Sequence, residues 1–309
     1  MTAQLGQSQL VPPPRQWPDE LPDVFRGSGA VASGVLTRKQ LRDARLRRLF
    51  HDVYAPRYLP FDHRLLCRGA ALITPESSRL TGRSMATALG VALATADDPV
   101  EFVVPHGDRT SDPKGIRLRA ASRGPLGDGT WRGVRVTTAE RMGFDLAAQH
   151  PLEDAVAHLD AAIAGQLLVL PRFQAWLDHR HEDHVVHVRK AASLADGRAG
   201  SRPESRLRVR LVLADLGVTF EAQHVVLHQG RFVARVDLAV VDLKIAVEYE
   251  GAWHGLIADQ LARDRQRLDR LREAGWVVVH VTADMMRTPG MAVDAVRRAI
   301  VERRASSPS

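Results

Sequence analysis

The stretch that most constrains how this chain can fold is Arg235–His254, which reads RVDLAVVDLKIAVEYEGAWH. Apolar and β-branched residues dominate it and no proline interrupts it, so the spacing predicts two β-strands back to back. Side chains alternate along a strand. Val236, Leu238 and Val240 are thus predicted on one face, with Arg235, Asp237 and Ala239 on the other. On the second strand Ile245, Val247 and Tyr249 fall together, leaving Lys244, Ala246, Glu248 and Glu250 opposite. A tight turn centred on Asp242-Leu243 sets Asp237 across from Glu248, with Cβ atoms about 5 Å apart. Three carboxylates, Asp237, Glu248 and Glu250, then converge on one patch of an otherwise apolar sheet. A slip of one residue in the register would send Asp237 to the other face.

Like charges that close repel, and burying them unpaired costs several kcal/mol. Protonation, an arginine partner or a hard divalent cation relieves the conflict. Ligands that are all oxygen suit magnesium or manganese better than zinc. A salt-bridged sheet face, with Arg235 or an arginine of the next helix as counter-charge, satisfies the same pattern without a metal.

At these residues the sequence resembles a known family. Asp237, ten intervening residues and then Glu248-Tyr249-Glu250 look like the signature of PD-(D/E)xK nucleases. The form VEYEGxxH, followed by DRxR and GWVV, resembles the branch related to very-short-patch-repair (Vsr) endonucleases, over about residues 201–300. The resemblance implies a metal-dependent phosphodiesterase with Mg2+ (or Mn2+) held by Asp237, Glu248 and Glu250. It also implies that an acid near the start of the preceding helix, Glu204, points into the site. The family's lysine falls at position 250, where this chain has Glu250, so the water-activating role is vacant. Lys244 and His254 are the candidates to fill it, His254 first because histidine titrates near neutral pH.

The chain of 309 residues is long enough for two cores. Its formal charge of +7 is carried almost wholly by arginine, lysine occurring only at Lys39, Lys114, Lys190 and Lys244. Arginine suits bidentate phosphate contacts, and an arginine-rich codon usage gives the same composition. A single cysteine, Cys67, excludes an internal disulfide and points to a reducing, cytoplasmic setting. No apolar run approaches a membrane span.

Residues 1–25, with Pro12-Pro13-Pro14, read as an unstructured tail. Leu36–Leu41 reads as a short helix capped by Thr37, and Leu46–Tyr54 as a second short element running into a strand. A winged helix accounts for both, and so does a small capping hairpin with solvated arginines. The region resembles, more loosely, the N-terminal module of AbiEi-type antitoxins, transcriptional regulators of toxin–antitoxin systems. That likeness implies DNA contacts from Arg38, Lys39, Arg45 and Arg47.

From Phe61 to Ile73 an amphipathic helix is predicted, with Leu65, Leu66, Gly69 and Leu72 buried. A short helix at Arg83–Leu89, strands at 100–105 and 115–121, and helices at 139–149 and 151–164 make an α+β connector. His184 and His187 share a helical face, as a zinc pair or a polar surface would. Residues 195–202 read as a linker, dividing a region 26–194 from a nuclease-like domain 195–309. Within the latter, Ser201 and Glu204 have the spacing of a capping box, a reading compatible with a metal-site role for Glu204. Strands at 220–227 and 231–241, a helix at 256–274 carrying Arg265 and Arg267, a strand at 275–282 and a closing helix complete the order αβββαβα.

The fold expected is therefore α+β: a winged-helix-like N-terminal part and a three-layer restriction-endonuclease-like C-terminal part. The expected function is a DNA-binding phosphodiesterase, with Arg265 and Arg267 clamping the backbone. The alternative is a non-enzymatic, antitoxin-like regulator with a degenerate nuclease domain, with DNA and a cognate toxin as its partners.

Overall fold

The computed structural model describes residues 21–108, 111–121, 126–251 and 258–306. The fold is α+β, with three separate sheets. No helix among the described residues is long and apolar enough to cross a membrane.

The N-terminal part comprises β1 (Phe25–Arg26), α1 (Gly27–Ala32), a 3-10 turn (Gln40–Arg42), β2 (Leu46–Phe50) and β3 (Val53–Pro56). The strands pair in the order β1-β3-β2. Three expectations are corrected here. The last residues of the expected tail, Val24 and Phe25, are buried, because Phe25 pairs with Tyr54 and joins a cluster with Ala30, Leu36 and Leu46. The helix lies upstream, at α1, where the glycine-rich GSGAVA gave no helical signal. Leu46–Tyr54 is one arm and part of the other of a β-hairpin, turned at Asp52 with φ of 60°. Thr37 does cap the turn that follows it, exchanging hydrogen bonds with Gln40.

The middle part holds α2 (His63–Ala70), β4 (Arg79–Leu80), α3 (Gly82–Ala88), β5 (Val100–Val104), β6 (Ile116–Ala120), β7 (Gly129–Trp131) and β8 (Val134–Val136). Helices α4 (Ala139–Ala148), α5 (Leu152–Ala164), α6 (Leu170–Asp178) and α7 (Val185–Leu194) follow. Its five strands form one sheet, β6-β5-β4-β8-β7. Around that sheet gathers a large core that includes Phe102, Leu118, Met142, Leu159 and Phe173, so the region is far more than a connector. Leu65, Leu66 and Gly69 of α2 are buried as expected, while Leu72, beyond the helix end, is exposed.

The C-terminal part runs α8 (Arg202–Leu213), β9 (Glu221–His228), β10 (Arg231–Val240), β11 (Ile245–Glu250), α9 (Ala258–Glu273), β12 (Val277–Thr282), α10 (Ala283–Arg287) and α11 (Met291–Ser306). The sheet order is β12-β11-β10-β9. Strands β10 and β11 pair Leu238 with Val247 and Val240 with Ile245, the register predicted. The connection is a 3-10 turn closed by Lys244 in the left-handed region, φ 51°. Strand β12 adds parallel to β11, setting His280 beside Glu248, and the crossover that parallel pairing demands is supplied by α9.

One face of this sheet packs Leu238, Val240, Ile245 and Val247 against Leu207 and Leu211 of α8 and Val296 and Ile300 of α11. The other packs Val226, Val236, Ala239 and Ala246 against Leu271, Ala274 and Trp276. Val236 and Leu238 therefore lie on opposite faces, against the strict alternation predicted. A matching irregularity sits on the neighbouring strand. Between the pairs Val236–His224 and Leu238–Ala222, Gln223 adopts φ of 53°, a left-handed backbone conformation that departs from the extended pleat. Asp237 stands at that break.

The segment 195–202 is firmly tied rather than slack. Asp160 on α5 accepts the backbone N–H of Asp196 at 2.8 Å and of Gly197 at 3.2 Å. Its other oxygen accepts from Arg208 of α8 at 2.8 Å, and both side chains are buried. Arg206–Asp154 and Arg210–Glu153 extend the seam between α5 and α8, and Val209 of α8 enters the middle core.

Candidate functional site

At the break beside Asp237 the sequence-predicted acids each meet a different partner. Beyond Leu238–Val247 the ladder of β10 and β11 opens, and Asp237 Oδ2 accepts the Tyr249 N–H at 2.9 Å. A side chain thus satisfies a backbone donor that the sheet leaves unpaired. Asp237 Oδ1 makes no hydrogen bond among the described residues. Burial pushes the Asp237 carboxyl up to about 6, and the nearby charges of Glu204 and Glu248 push the same way. The Tyr249 N–H and Arg267 oppose the rise without cancelling it.

Glu204 makes the predicted capping contact at the start of α8. Ser201 Oγ donates to Glu204 Oε1 at 2.7 Å and accepts the Glu204 N–H at 3.4 Å, a capping box. Its other oxygen accepts from the Gly200 N–H at 2.8 Å and from Gln223 Nε2 at 2.9 Å. Gln223 thus joins the first turn of α8 to β9, the strand that pairs with β10.

Glu248 is 8% exposed and is gripped by Arg267 of α9. Nη1 donates to Oε2 at 2.9 Å and Nη2 donates to Oε1, while Nη2 also donates to the Arg235 carbonyl at 3.1 Å. The hydrogen bonds to Glu248 hold the Arg267 guanidinium above its ordinary pKa. The counter-charge is thus the next-helix arginine weighed in the sequence, and Arg267 is turned inward rather than outward to a phosphate.

Glu250 is turned to His280, whose Nδ1 lies 2.7 Å from Oε1 without hydrogen-bond alignment. The acid bearing on Asp237 ahead of Glu248 is therefore Glu204, and Glu250 sits at the rim. His280 was not singled out from the sequence; the available signal was a lone polar residue in the run Val277–Val281. Lys244 lies at the far end of β11, its Nζ donating to the Ala274 carbonyl at 3.3 Å. That is four residues, or roughly 13 Å, from Glu248, which removes it as a partner of the acids. His254 lies outside the described residues.

The remaining predicted positions are on the surface. Arg38, Lys39 and Arg265 are exposed. Arg45 pairs with Asp43 at 2.8 Å. Arg47 is half-buried, stacked on the Phe61 ring at 4.6 Å. His184 Nε2 lies 3.1 Å from Gln149 Nε2, and His187 Nε2 lies 3.0 Å from the His150 carbonyl, so the two meet different partners. Among the described residues, no three or more His, Cys, Asp or Glu side chains are arranged to hold a metal ion.

No family model matches the chain. Two curated proteins of Mycobacterium tuberculosis, the uncharacterized proteins MT2308 (strain CDC 1551 / Oshkosh) and Rv2248 (strain ATCC 25618 / H37Rv), are each 34% identical to it over 158 residues. The match spans 50% of this chain and 57% of each relative, little more than half their length. Among solved structures, the RV2827C protein from Mycobacterium tuberculosis aligns over 60% of this chain and 75% of its own, at 16% identity and a TM-score of 0.38. A score that low carries over neither fold nor function.

Proposed function

We propose that this protein is a DNA-binding phosphodiesterase that uses a magnesium-class cation. The observation that supports it is the charge of the cluster at the β10–β11 opening. Glu204 and Glu248 each bring a negative charge to bear on Asp237, and Arg267 returns one positive charge. With all three acids ionised the remainder is two negative charges, the complement of one divalent cation. The oxygen-only donors fit a hard cation, which commonly takes one or two protein carboxylates together with substrate phosphate.

Asp237 and Glu204 would hold the cation, with Glu248 completing the set once it lets go of Arg267. A bound magnesium supplies Lewis-acid polarisation of a phosphoryl oxygen. Asp237 stays where the Tyr249 N–H fixes it, and Gln223 ties Glu204 to β9. His280, beside Glu248 and against Glu250, is the described histidine placed to take or return a proton. Arg38 and Lys39, on the N-terminal part, would add phosphate contacts away from the cluster.

Asp237→Ala and Glu248→Ala are each expected to abolish magnesium-dependent nicking of supercoiled plasmid while leaving DNA affinity nearly unchanged. Nicking that persists in both variants removes the mechanism. A second reading, an antitoxin-like DNA-binding regulator without cleavage, is supported by the bidentate Arg267–Glu248 pair, in which the chain itself supplies the counter-charge of the acid. Wild-type protein that binds its own promoter fragment yet leaves plasmid intact in both magnesium and manganese decides for it.

A further inference from the structure

We propose that the N-terminal hairpin is a stacking platform for single-stranded DNA, with Tyr58 and Phe61 taking unpaired bases and the arginines around them the phosphates. The proposal rests on the DNA-binding reading, not on the acid cluster, and names the form of DNA that this part of the chain receives. Charge supplies the first support. Residues 36–64 hold eight lysines or arginines against three aspartates, a surplus of five out of the seven positive charges of the whole chain. Among the described residues, Arg45 alone of the eight forms an ion pair, with Asp43. Asp52 is taken by Arg26 and Ser28, and Asp62 by the Leu65 N–H at the start of α2. Arg38, Lys39, Arg42, Arg48, Arg57 and Arg64 are all exposed. Such a surface attracts any nucleic acid through its phosphates, duplex DNA included.

The rings decide between the forms. Tyr58 is 68% exposed and Phe61 50%, and with Phe232 they are the aromatic residues among the large exposed hydrophobic side chains described. Two of those three thus stand four residues apart or less, inside the basic stretch. Hydrogen bonds to the main chain fix their surroundings. The Arg57 N–H donates to the Arg45 carbonyl at 2.7 Å, and Arg57 Nε donates to the Leu46 carbonyl at 3.2 Å. Arg57 is thereby held beside Arg45 at the open end of the β2–β3 hairpin, with Tyr58 the next residue along. The Arg47 guanidinium lies over the Phe61 ring, 4.6 Å from its centroid, and the ring stays half exposed. A base stacked on that exposed surface adds to a cation–π pair already formed. Duplex DNA has no use for either ring, because it offers phosphates and groove edges while its bases stack on one another. An unpaired base offers its face to an aromatic side chain whatever its sequence.

The test measures binding by the full-length protein in EDTA, so that cleavage does not interfere, using the anisotropy of labelled oligomers. The probes are a DNA single strand of about 12 nucleotides, the duplex of the same sequence and the matching RNA strand. Stacking predicts that Tyr58→Ala and Phe61→Leu each weaken single-strand binding about tenfold while duplex binding changes less than about twofold. Tyr58→Trp, which puts a larger ring at the same place, is expected to bind the single strand at least as tightly as wild type. Should Phe61→Leu fail to fold, because Phe61 also packs on Arg47, the two Tyr58 variants carry the test on a residue that lies mostly in solvent. Equal losses on single strand and duplex, or no loss on either, overturn the platform and leave the hairpin a binder of phosphates alone. Tighter binding of the RNA strand than of the DNA strand overturns the choice of occupant. Wild-type protein that binds neither strand nor duplex defeats the DNA-binding reading itself, an outcome distinct from the others.

Discussion

Asp237 sits in an environment poorly suited to a charged carboxylate. It is a half-buried carboxylate with one backbone donor and two acidic neighbours, and its carboxyl is raised to about 6. A folded-state value above the unfolded value of about 3.9 means that the native state binds the proton more tightly. The group favours the fold below the lower value, and that contribution is lost as pH rises through 6. Asp237→Asn copies the neutral form and is expected to stabilise the protein at pH 8 by about 1 kcal/mol, after allowing for solvent screening of a partly exposed group. The gain should shrink below pH 6 and vanish near pH 4. Thermal melts across that range check it; a gain that does not depend on pH, or a loss at pH 8, removes the electrostatic account. A substitution that stabilises the fold while abolishing nicking would mark Asp237 as a group held in place for what it binds.

Among the elements, α8 carries the most varied load. Its first turn caps itself through Ser201 and Glu204, its inner face packs on the C-terminal sheet, and its arginines clamp α5. Removing one member of a buried ion pair strands the other. Arg208→Ala is thus expected to cost about 3–5 kcal/mol in urea unfolding, while replacing Arg208 and Asp160 together by apolar residues costs much less. Equal losses in the single and double variants would deny the pair its role. Much at this scale was legible beforehand. The β10–β11 hairpin and its register follow from alternation and turn position, and the S-x-x-E cap from spacing alone. The flip between Val236 and Leu238 was not legible, because it goes with a left-handed backbone at Gln223, on a different strand, that no side-chain pattern reports. The choice of Glu204 over Glu250 as the neighbour bearing most on Asp237 was hidden for the same reason, since it depends on where α8 docks. The α1 helix escaped because GSGAVA has almost no amphipathic signal and is held by tertiary contacts, among them the N–H of Gly27 and of Ser28 donating to Asp52.

At the scale of the whole molecule, the α5–α8 seam ties the C-terminal sheet to a middle core that is itself sensitive to acid. Three histidines there are held neutral by burial. His63 lies against the Thr95 carbonyl and Ser84 Oγ, His150 meets His158 edge to face, and His158 lies by the Leu146 carbonyl. Burial lowers all three, His158 to about 4, with the neighbouring His150 pushing His158 the same way. Depressed histidines bind protons first in the unfolded chain, so stability is full above about pH 6.5 and falls as pH drops from there towards 4. Each such group contributes at most about 1.4 kcal/mol per pH unit to that slope. His158→Gln is therefore expected to remove close to one proton from the slope of unfolding free energy between pH 6.5 and 5. Because Arg208, Arg206 and Arg210 bind the two halves through partners on α5, acid loss in the middle core should release the C-terminal sheet in the same step. Trp176 of the middle core and Trp276 of the C-terminal sheet report the halves separately in single-tryptophan variants. Coincident urea midpoints for the two probes at pH 5 would show that the halves unfold as one unit. Midpoints that separate would mean that the seam transmits nothing, and that the acid cluster at Asp237 stands on a sheet stable in its own right.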